Sequence, residues 1–305
     1  MVYGLRVHER VAKAIRRGRP VVALETAVAT HGLPTPHNVD AMVSMDTAIR
    51  RRGAEPAACV VQGGELHVGA PLDLVAEVAH DSRRVKASIR DLGLVLSANL
   101  PAGLTVSASL YAAQRAGITV FATGGIGGVH LGAERTGDVS ADLLQLSVRP
   151  VLTVCSGAKS VLDIPRTLEH LESLGVPAYA FGSAHFPAFY LRSSGVSVPC
   201  LESAREVAGV AACHWSLGLT TGIVLGNPLP DDQAISESEW SDWIGRAQRK
   251  AETARTTGKD VTPYLLARVA EYSGGRTVTA NVELLRRNAG LAAEIAVALR
   301  ERSSE

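Results

Sequence analysis

Two charged residues stand where a charge needs a reason. Glu25 closes the apolar run Val21–Leu24, and a carboxylate buried there unpaired would be costly. The C-terminal ends of strands in open α/β sheets are where ligands bind, so Glu25 suits general acid–base work. Capping the next helix or pairing with an arginine would also place a glutamate there. Lys159 lies just past the apolar run Val151–Cys155, in the small-residue turn Ser156-Gly157-Ala158. An amine desolvated in such a turn has a lowered pKa, and a neutral lysine is a nucleophile for a sugar carbonyl. A snorkelling surface lysine is the plain alternative. Only five lysines stand among the 31 basic residues, and arginine cannot act as a nucleophile. Lys13, Lys250 and Lys259 fall in polar contexts, whereas Lys86, in Val85–Leu92, reads as part of a charged helix or an edge strand.

Two segments between these positions add ligand-holding features. Phe121–His130 carries four glycines directly after a strand-like run, which lets backbone amides approach an anion. It is neither the dinucleotide fingerprint nor a P-loop. Thr123 and His130, at its two ends, are candidate substrate contacts. Asp138-Val139-Ser140-Ala141-Asp142 follows; Asp138 precedes a helix that Ser140 caps, and hard oxygen ligands of this kind suit Mn²⁺ or Mg²⁺ kept partly hydrated. Ordinary helix capping explains the same residues. His31, His37, His130 and His185 lack metal-ligand spacing and read mostly as hydrogen-bonded structural histidines.

The elements that must position these residues alternate. Val21–Leu24, Ala57–Val61, Ile118–Ala122, Val151–Cys155, Ala178–Phe181 and Gly222–Leu225 read as strands, and Glu65–Val68 pairs back through Gly63-Gly64. Helical periodicity marks Val39–Arg51, Ser107–Arg115, Pro165–Leu174, Ala204–Leu217, Trp240–Arg255, Thr262–Tyr272 and Val282–Arg302, with Asn38 and Thr279 as N-caps. The reading is a three-layer α/β/α fold with a mixed central sheet and a helical C-terminal segment, one domain over residues 1–305. A 46% hydrophobic and 20% charged composition is that of a well-cored soluble protein, and a net charge of +1 removes any electrostatic argument for nucleic acid or an acidic membrane. Cys59, Cys155, Cys200 and Cys213 lack metal or redox spacing. Met1–Pro20 has no following apolar stretch and nothing approaches a membrane span, so a reducing cytoplasm is the expected home.

Taken together, these segments resemble the pseudouridine-5′-phosphate glycosidases, also called the indigoidine synthase A family. The resemblance runs from about Val21 to Ala296 and is carried by FATGGIGGVH at Phe121–His130, DVSADL at Asp138–Leu143 and CSGAKSVLD at Cys155–Asp163. VVALE at Val21–Glu25, Thr30–Pro34, Asn227–Pro230 and TPYLLARVAE at Thr262–Glu271 also match. The resemblance implies Glu25 as general acid/base, Lys159 as nucleophile and Lys86 as a substrate contact. It further implies Val106 as a backbone contact, Asp138 as the Mn²⁺ ligand, Ser140, Ala141 and Asp142 as a substrate-binding stretch, and Asn281 as an asparagine reaching the site. A homotrimer acting on ribose 5-phosphate and an aromatic or uracil acceptor is implied with them.

The chain departs from the family pattern at Thr26-Ala27, at His37, over Leu94–Ser107 and at Ser183–Phe186. None of these touches Glu25, Lys86, Asp138 or Lys159. The departures favour C-ribosylation of an aromatic natural-product carbon, like the alnumycin branch of the family. The alternative is cleavage of pseudouridine 5′-phosphate to uracil and ribose 5-phosphate. In either case an apolar acceptor cleft is expected beside Lys159 and Glu25, lined by the Leu94–Ser107 region and by His185–Phe189.

Overall fold

The computed structural model describes residues 4–254 and 261–302. Its strands are β1 (Leu5–Val7), β2 (Val21–Leu24), β3 (Glu55–Gln62), β4 (Glu65–Val68), β5 (Val85–Ala87), β6 (Ala102–Leu104), β7 (Val120–Ala122), β8 (Val129–His130), β9 (Leu152–Cys155), β10 (Leu162–Asp163), β11 (Ala178–Phe181), β12 (Cys200–Leu201) and β13 (Ile223–Gly226). The helices are α1 (Glu9–Arg16), α2 (His37–Arg50), α3 (Leu72–His80), α4 (Leu92–Ser97), α5 (Val106–Arg115), α6 (Ala133–Thr136), α7 (Ala141–Ser147), α8 (Ile164–Ser173), α9 (Ala204–Ser216), α10 (Glu237–Thr253), α11 (Val261–Tyr272) and α12 (Arg276–Arg302).

One sheet runs in the order β1-β4-β3-β2-β7-β9-β13-β11-β12, with β6 on β3 and β5 on β6. From β3 to β12 through β2, β7, β9, β13 and β11 every pair is parallel. Strands β4 and β6 run antiparallel to β3, so the sheet is mixed. The Gly63-Gly64 turn between β3 and β4 has φ of 62° and 73°, the left-handed pair that a tight hairpin demands. The central strands β2, β9 and β13 are buried along their whole length, as expected where helices cover both faces of a parallel sheet. Helices α2 and α9 both pack on α12, while α5, α7 and α8 form a second group. In α12 the residues Ala289, Gly290, Ala292 and Ala293 carry little side chain, which lets this helix lie close to its neighbours.

Several elements differ from the expectations. Asn38 is not a cap: α2 begins at His37, and Asn38 instead donates through Nδ2 to the Ala29 carbonyl at 2.8 Å. Thr279 lies inside α12, because the Gly274-Gly275 turn ends α11 and lets α12 start at Arg276. β1, α1, α3 and the two-residue strands carry too short a pattern to read from sequence. Lys86 lies on β5, the edge-strand option. Cys59 and Cys155 are buried, and Trp240 and Trp243 belong to the core. Lys259 and Arg255 lie outside the described residues. Among the described residues no helix is long and apolar enough to cross a membrane.

Candidate active site

The candidate residues emerge from the C-terminal ends of neighbouring parallel strands. Glu25 follows β2, Thr123 follows β7, Ser156 to Lys159 follow β9 and Asn227 follows β13. Asn288 of α12 is fully buried and stitches three of these ends together. Its Nδ2 donates to the Thr123 carbonyl at 2.9 Å and to Ser156 Oγ at 3.1 Å, and its Oδ1 accepts from Asn227 Nδ2 at 3.0 Å. A buried amide with every function satisfied fixes the strand ends rigidly.

The glycine loop and Asp142 form a second tie. Asp142 is 5% exposed, and its two carboxylate oxygens accept from Ser107 N at 2.9 Å and from Gly127 N at 2.8 Å. Val106 opens α5, so this carboxylate sits at a helix N-terminus, where negative charge is favoured. Ser140 caps α7 by accepting from Asp142 N at 3.2 Å, with Ala141 as the first helical residue. Gly157 has φ +82°, and a Cβ there would lie 1.9 Å from the Pro187 carbonyl oxygen, so the turn that leads to Lys159 admits only glycine.

Glu25, Lys86, Lys159 and Asn281 line one cleft of about 450 Å³. Its remaining wall is largely apolar and includes Val28, Leu33, Pro34, Phe189, Leu266, Ala267, Ala270 and Val278. Burial raises the Glu25 pKa, with the nearby Lys159 charge, the Thr123 hydroxyl and Lys86 pulling the other way and Asp142 adding to the rise. Thr123 Oγ1 is buried and has no hydrogen bond of ordinary geometry, so its hydroxyl acts on that carboxyl from a longer range. Lys86 keeps surface open to the cleft, yet crowding by the cleft walls strips its amine of hydration and, with the Lys159 charge, lowers its pKa. A carboxyl inclined to hold its proton therefore shares a desolvated space with two amines, a combination suited to acid–base work next to a nucleophile.

Other sequence candidates lie elsewhere. Thr123, Val106, Ser140, Ala141 and Asp142 are not on the cleft surface but surround its floor. His130 and Asp138 sit together, Nδ1 to Oδ2 at 3.9 Å, with the Asp138 side chain 54% exposed, and neither lines the cleft. Among the described residues no three His, Cys, Asp or Glu side chains gather to hold a metal ion. The donor set at Asp138 thus fits only a largely hydrated cation anchored on one carboxylate. The Leu94–Ser107 region does not form the expected cleft wall; α5 turns it away, and residues 27–34 with α11 and α12 stand there instead. Of His185–Phe189, only Phe189 lines the cleft.

Asn288, Tyr190, His31 as a wall residue and the α11 side chains escape sequence reasoning. Tyr190 is buried, which raises its pKa, with the nearby Asn281 pulling the other way. Phe189 holds φ +65°, an unusual backbone for a bulky residue, fixed by its amide donating to the Ser156 carbonyl at 2.7 Å. An amphipathic helix far along the chain gives no signal of which distant strand ends it will cover. The Thr26 hydroxyl donates to the Cys59 carbonyl and accepts from Leu104 N at 3.1 Å, so the Thr26 departure serves strand joining.

The sequence matches the profile described as "Indigoidine synthase A like protein" over residues 10–298. A pseudouridine-5′-phosphate glycosidase of Legionella pneumophila is 43% identical over 299 residues, 98% of this chain and 96% of that protein. The pseudouridine-5′-phosphate glycosidase 2 of Rhizobium johnstonii is 45% identical over 294 residues, 96% of this chain and 95% of that protein. Among solved structures, the prealnumycin C-glycosynthase AlnA in complex with ribulose 5-phosphate superposes with a TM-score of 0.91 at 34% identity, covering 98% of both chains.

Proposed function

This chain belongs to the indigoidine synthase A-like family, and from that premise we propose that it is a pseudouridine-5′-phosphate glycosidase, releasing uracil and ribose 5-phosphate. The observation that carries this reading is the meeting of Glu25 and Lys159 in one cleft, at the ends of β2 and β9 with only β7 between them. A carbon-linked nucleoside has no heteroatom leaving group, so paired-carboxylate glycosidase chemistry does not suffice. Lys159 Nζ attacks C1 as the ring C–O bond breaks, and Glu25 gives its proton to the departing ring oxygen. Glu25, now a carboxylate, takes a proton from the new secondary ammonium; the freed nitrogen lone pair expels the base carbon, which receives that proton, and water hydrolyses the resulting imine to free the aldehyde sugar. Ribulose 5-phosphate, held by the AlnA neighbour, cannot close to a furanose with its 5-hydroxyl phosphorylated. That supports a site built for an open-chain pentose phosphate.

C-ribosylation of an aromatic carbon uses the same residues in the opposite direction. The apolar wall of Leu266, Ala267, Ala270 and Val278 favours it, but relatives at 43–45% identity are named glycosidases and AlnA stands at 34%, so cleavage is the better-supported reading. Incubation with pseudouridine 5′-phosphate, and separately with ribose 5-phosphate plus uracil or plus electron-rich phenols, decides between them by mass spectrometry. Release of uracil is expected; product formation with phenols alone overturns the glycosidase.

Asp138 would hold Mn²⁺ through water, and the bound ion would supply positive charge to balance phosphate. Chelation is then expected to depress turnover and added Mn²⁺ to restore it. Full activity after exhaustive chelation removes the ion from the reading.

A further inference from the structure

One polar group on the largely apolar wall of the cleft, where Thr277 and Asn281 are others, has no part in the chemistry above. His31 sits in a π-helical turn, Val28–Gly32, where Leu33 N reaches back to the Val28 carbonyl at 3.0 Å. Widened turns of this kind are rare and often re-aim a side chain at a functional site. The His31 ring lines the cleft with Glu25, Lys86 and Lys159. Its Nδ1 lies 2.8 Å from Thr30 Oγ1, and that hydroxyl in turn points at the Thr26 and Ala27 carbonyls at 3.3 and 3.4 Å. A hydroxyl has one hydrogen to give. With that hydrogen turned to the carbonyls, Thr30 accepts from His31 Nδ1–H, and the ring's remaining lone pair falls on Nε2. Among the described residues Nε2 makes no hydrogen bond. His31 keeps much of its surface open, yet crowding by the cleft walls, together with Arg84 and Lys86, lowers its pKa, which favours the neutral ring with Nε2 an acceptor. Arg84 is fixed beside it, its Nε donating to the Thr30 carbonyl at 2.9 Å.

An acceptor on a largely apolar wall selects a donor. A phosphate dianion has no hydrogen to give and would face the Nε2 lone pair, whereas a ring N–H or a sugar hydroxyl can donate to it. Uracil joined through C5 differs from uracil joined through nitrogen in that both ring N–H groups stay free. We propose that His31 is the specificity-determining residue for the base, accepting through Nε2 a hydrogen bond from a ring N–H of C5-linked uracil. This rests on the glycosidase reading.

The test measures kcat/KM on pseudouridine 5′-phosphate and on its N1-methyl and N3-methyl derivatives, for wild type, His31→Leu and His31→Gln. Wild type is expected to lose about 10–100-fold on one of the two methyl nucleotides. His31→Leu should bring that ratio close to one, and His31→Gln, which keeps an acceptor oxygen, should retain part of it. Equal turnover of all three nucleotides by wild type overturns the proposal, as does a methyl penalty that persists in His31→Leu. Borohydride trapping of ribose 5-phosphate is run on the same proteins. A raised half-saturating sugar concentration in His31→Leu with the methyl penalty intact places His31 at the sugar phosphate instead, and overturns it too. Failure of wild type to release the base, uracil or its methyl derivative, from any of the three defeats the glycosidase reading itself, and the base-reading role falls with it.

Discussion

The floor and the wall of the cleft are built on different principles. The floor is made at strand ends, where Asn288, Asp142, Thr123 and Ser156 tie backbone amides and carbonyls to one another across β7, β9, β13 and α5. Displacing any member strands a buried polar group. The wall is made of side chains from residues 27–34, α11 and α12, chiefly apolar, whose demands are on shape alone. A rigid polar floor suits chemistry that is the same for every aglycone, and an apolar wall leaves acceptor choice open to change. The difference teaches that reaction and selectivity should separate under mutation.

The largest effect is expected on the floor at Lys159. Lys159→Ala should lower kcat by about 10⁴–10⁶-fold, the scale of losing a nucleophile, and abolish the adduct that borohydride traps with ribose 5-phosphate. An adduct that persists and maps to Lys86 would exchange the roles of the two lysines.

Glu25 comes next. Glu25→Gln should leave the trapped adduct while slowing turnover by about 10²–10⁴-fold. The same substitution carries a stability signature. Burial raises the Glu25 pKa, so the folded protein keeps this proton where the unfolded chain, with an ordinary value of about 4.3, has released it. Between those two values the native state binds more protons than the unfolded one, and stability falls as pH rises. Glu25→Gln removes that fall, so the variant's Tm should gain on wild type with rising pH. A constant Tm difference from pH 4 to 8 would show that Glu25 is not held protonated.

Asn288→Ala tests the floor's rigidity without touching substrate. It strands Asn227 Nδ2, Ser156 Oγ and the Thr123 carbonyl in a buried place, at a cost of about 2–4 kcal/mol in unfolding free energy. A loss below about 1 kcal/mol in a denaturant titration would mean that the strand ends do not depend on it.

How much of this contrast is legible in sequence follows from the same physics. Residues 21–25, 121–130 and 155–163 are legible because backbone geometry constrains them: glycine at 157 is dictated by the Pro187 carbonyl, and a charge at Glu25 after a buried strand stands out. The strands β2, β9 and β13 declare themselves by unbroken hydrophobicity. Asn288 is silent because one polar residue in a 27-residue helix looks like a surface position until α12 is docked. The wall is silent for a related reason. Leu266, Ala267 and Ala270 satisfy ordinary helical periodicity, so the apolar Leu94–Ser107 stretch is the more visible candidate, although α4 and α5 spend it on packing around Leu92, Val95, Leu104 and Val106.

The smallest effect is expected on that wall, at Ala270. Its methyl lines the cleft from α11, beside Leu266 and Val278, and it makes no polar contact with the floor. Ala270→Leu keeps helix propensity and adds three carbons to the cleft side. A base pressed by those carbons loses contact in the ground state and transition state alike, because the wall meets the aglycone throughout and not only as the C–C bond breaks. Such uniform loss raises KM and leaves kcat in place. A few methylenes in a binding pocket are worth about 10-fold in kcat/KM. A rise in KM for pseudouridine 5′-phosphate of about that size is therefore expected, with kcat within about twofold of wild type and trapping of ribose 5-phosphate unchanged, as the division between floor and wall requires. A fall in kcat with KM unaltered would mean that the wall helps to hold the reacting carbon, and the division between floor and wall would not stand.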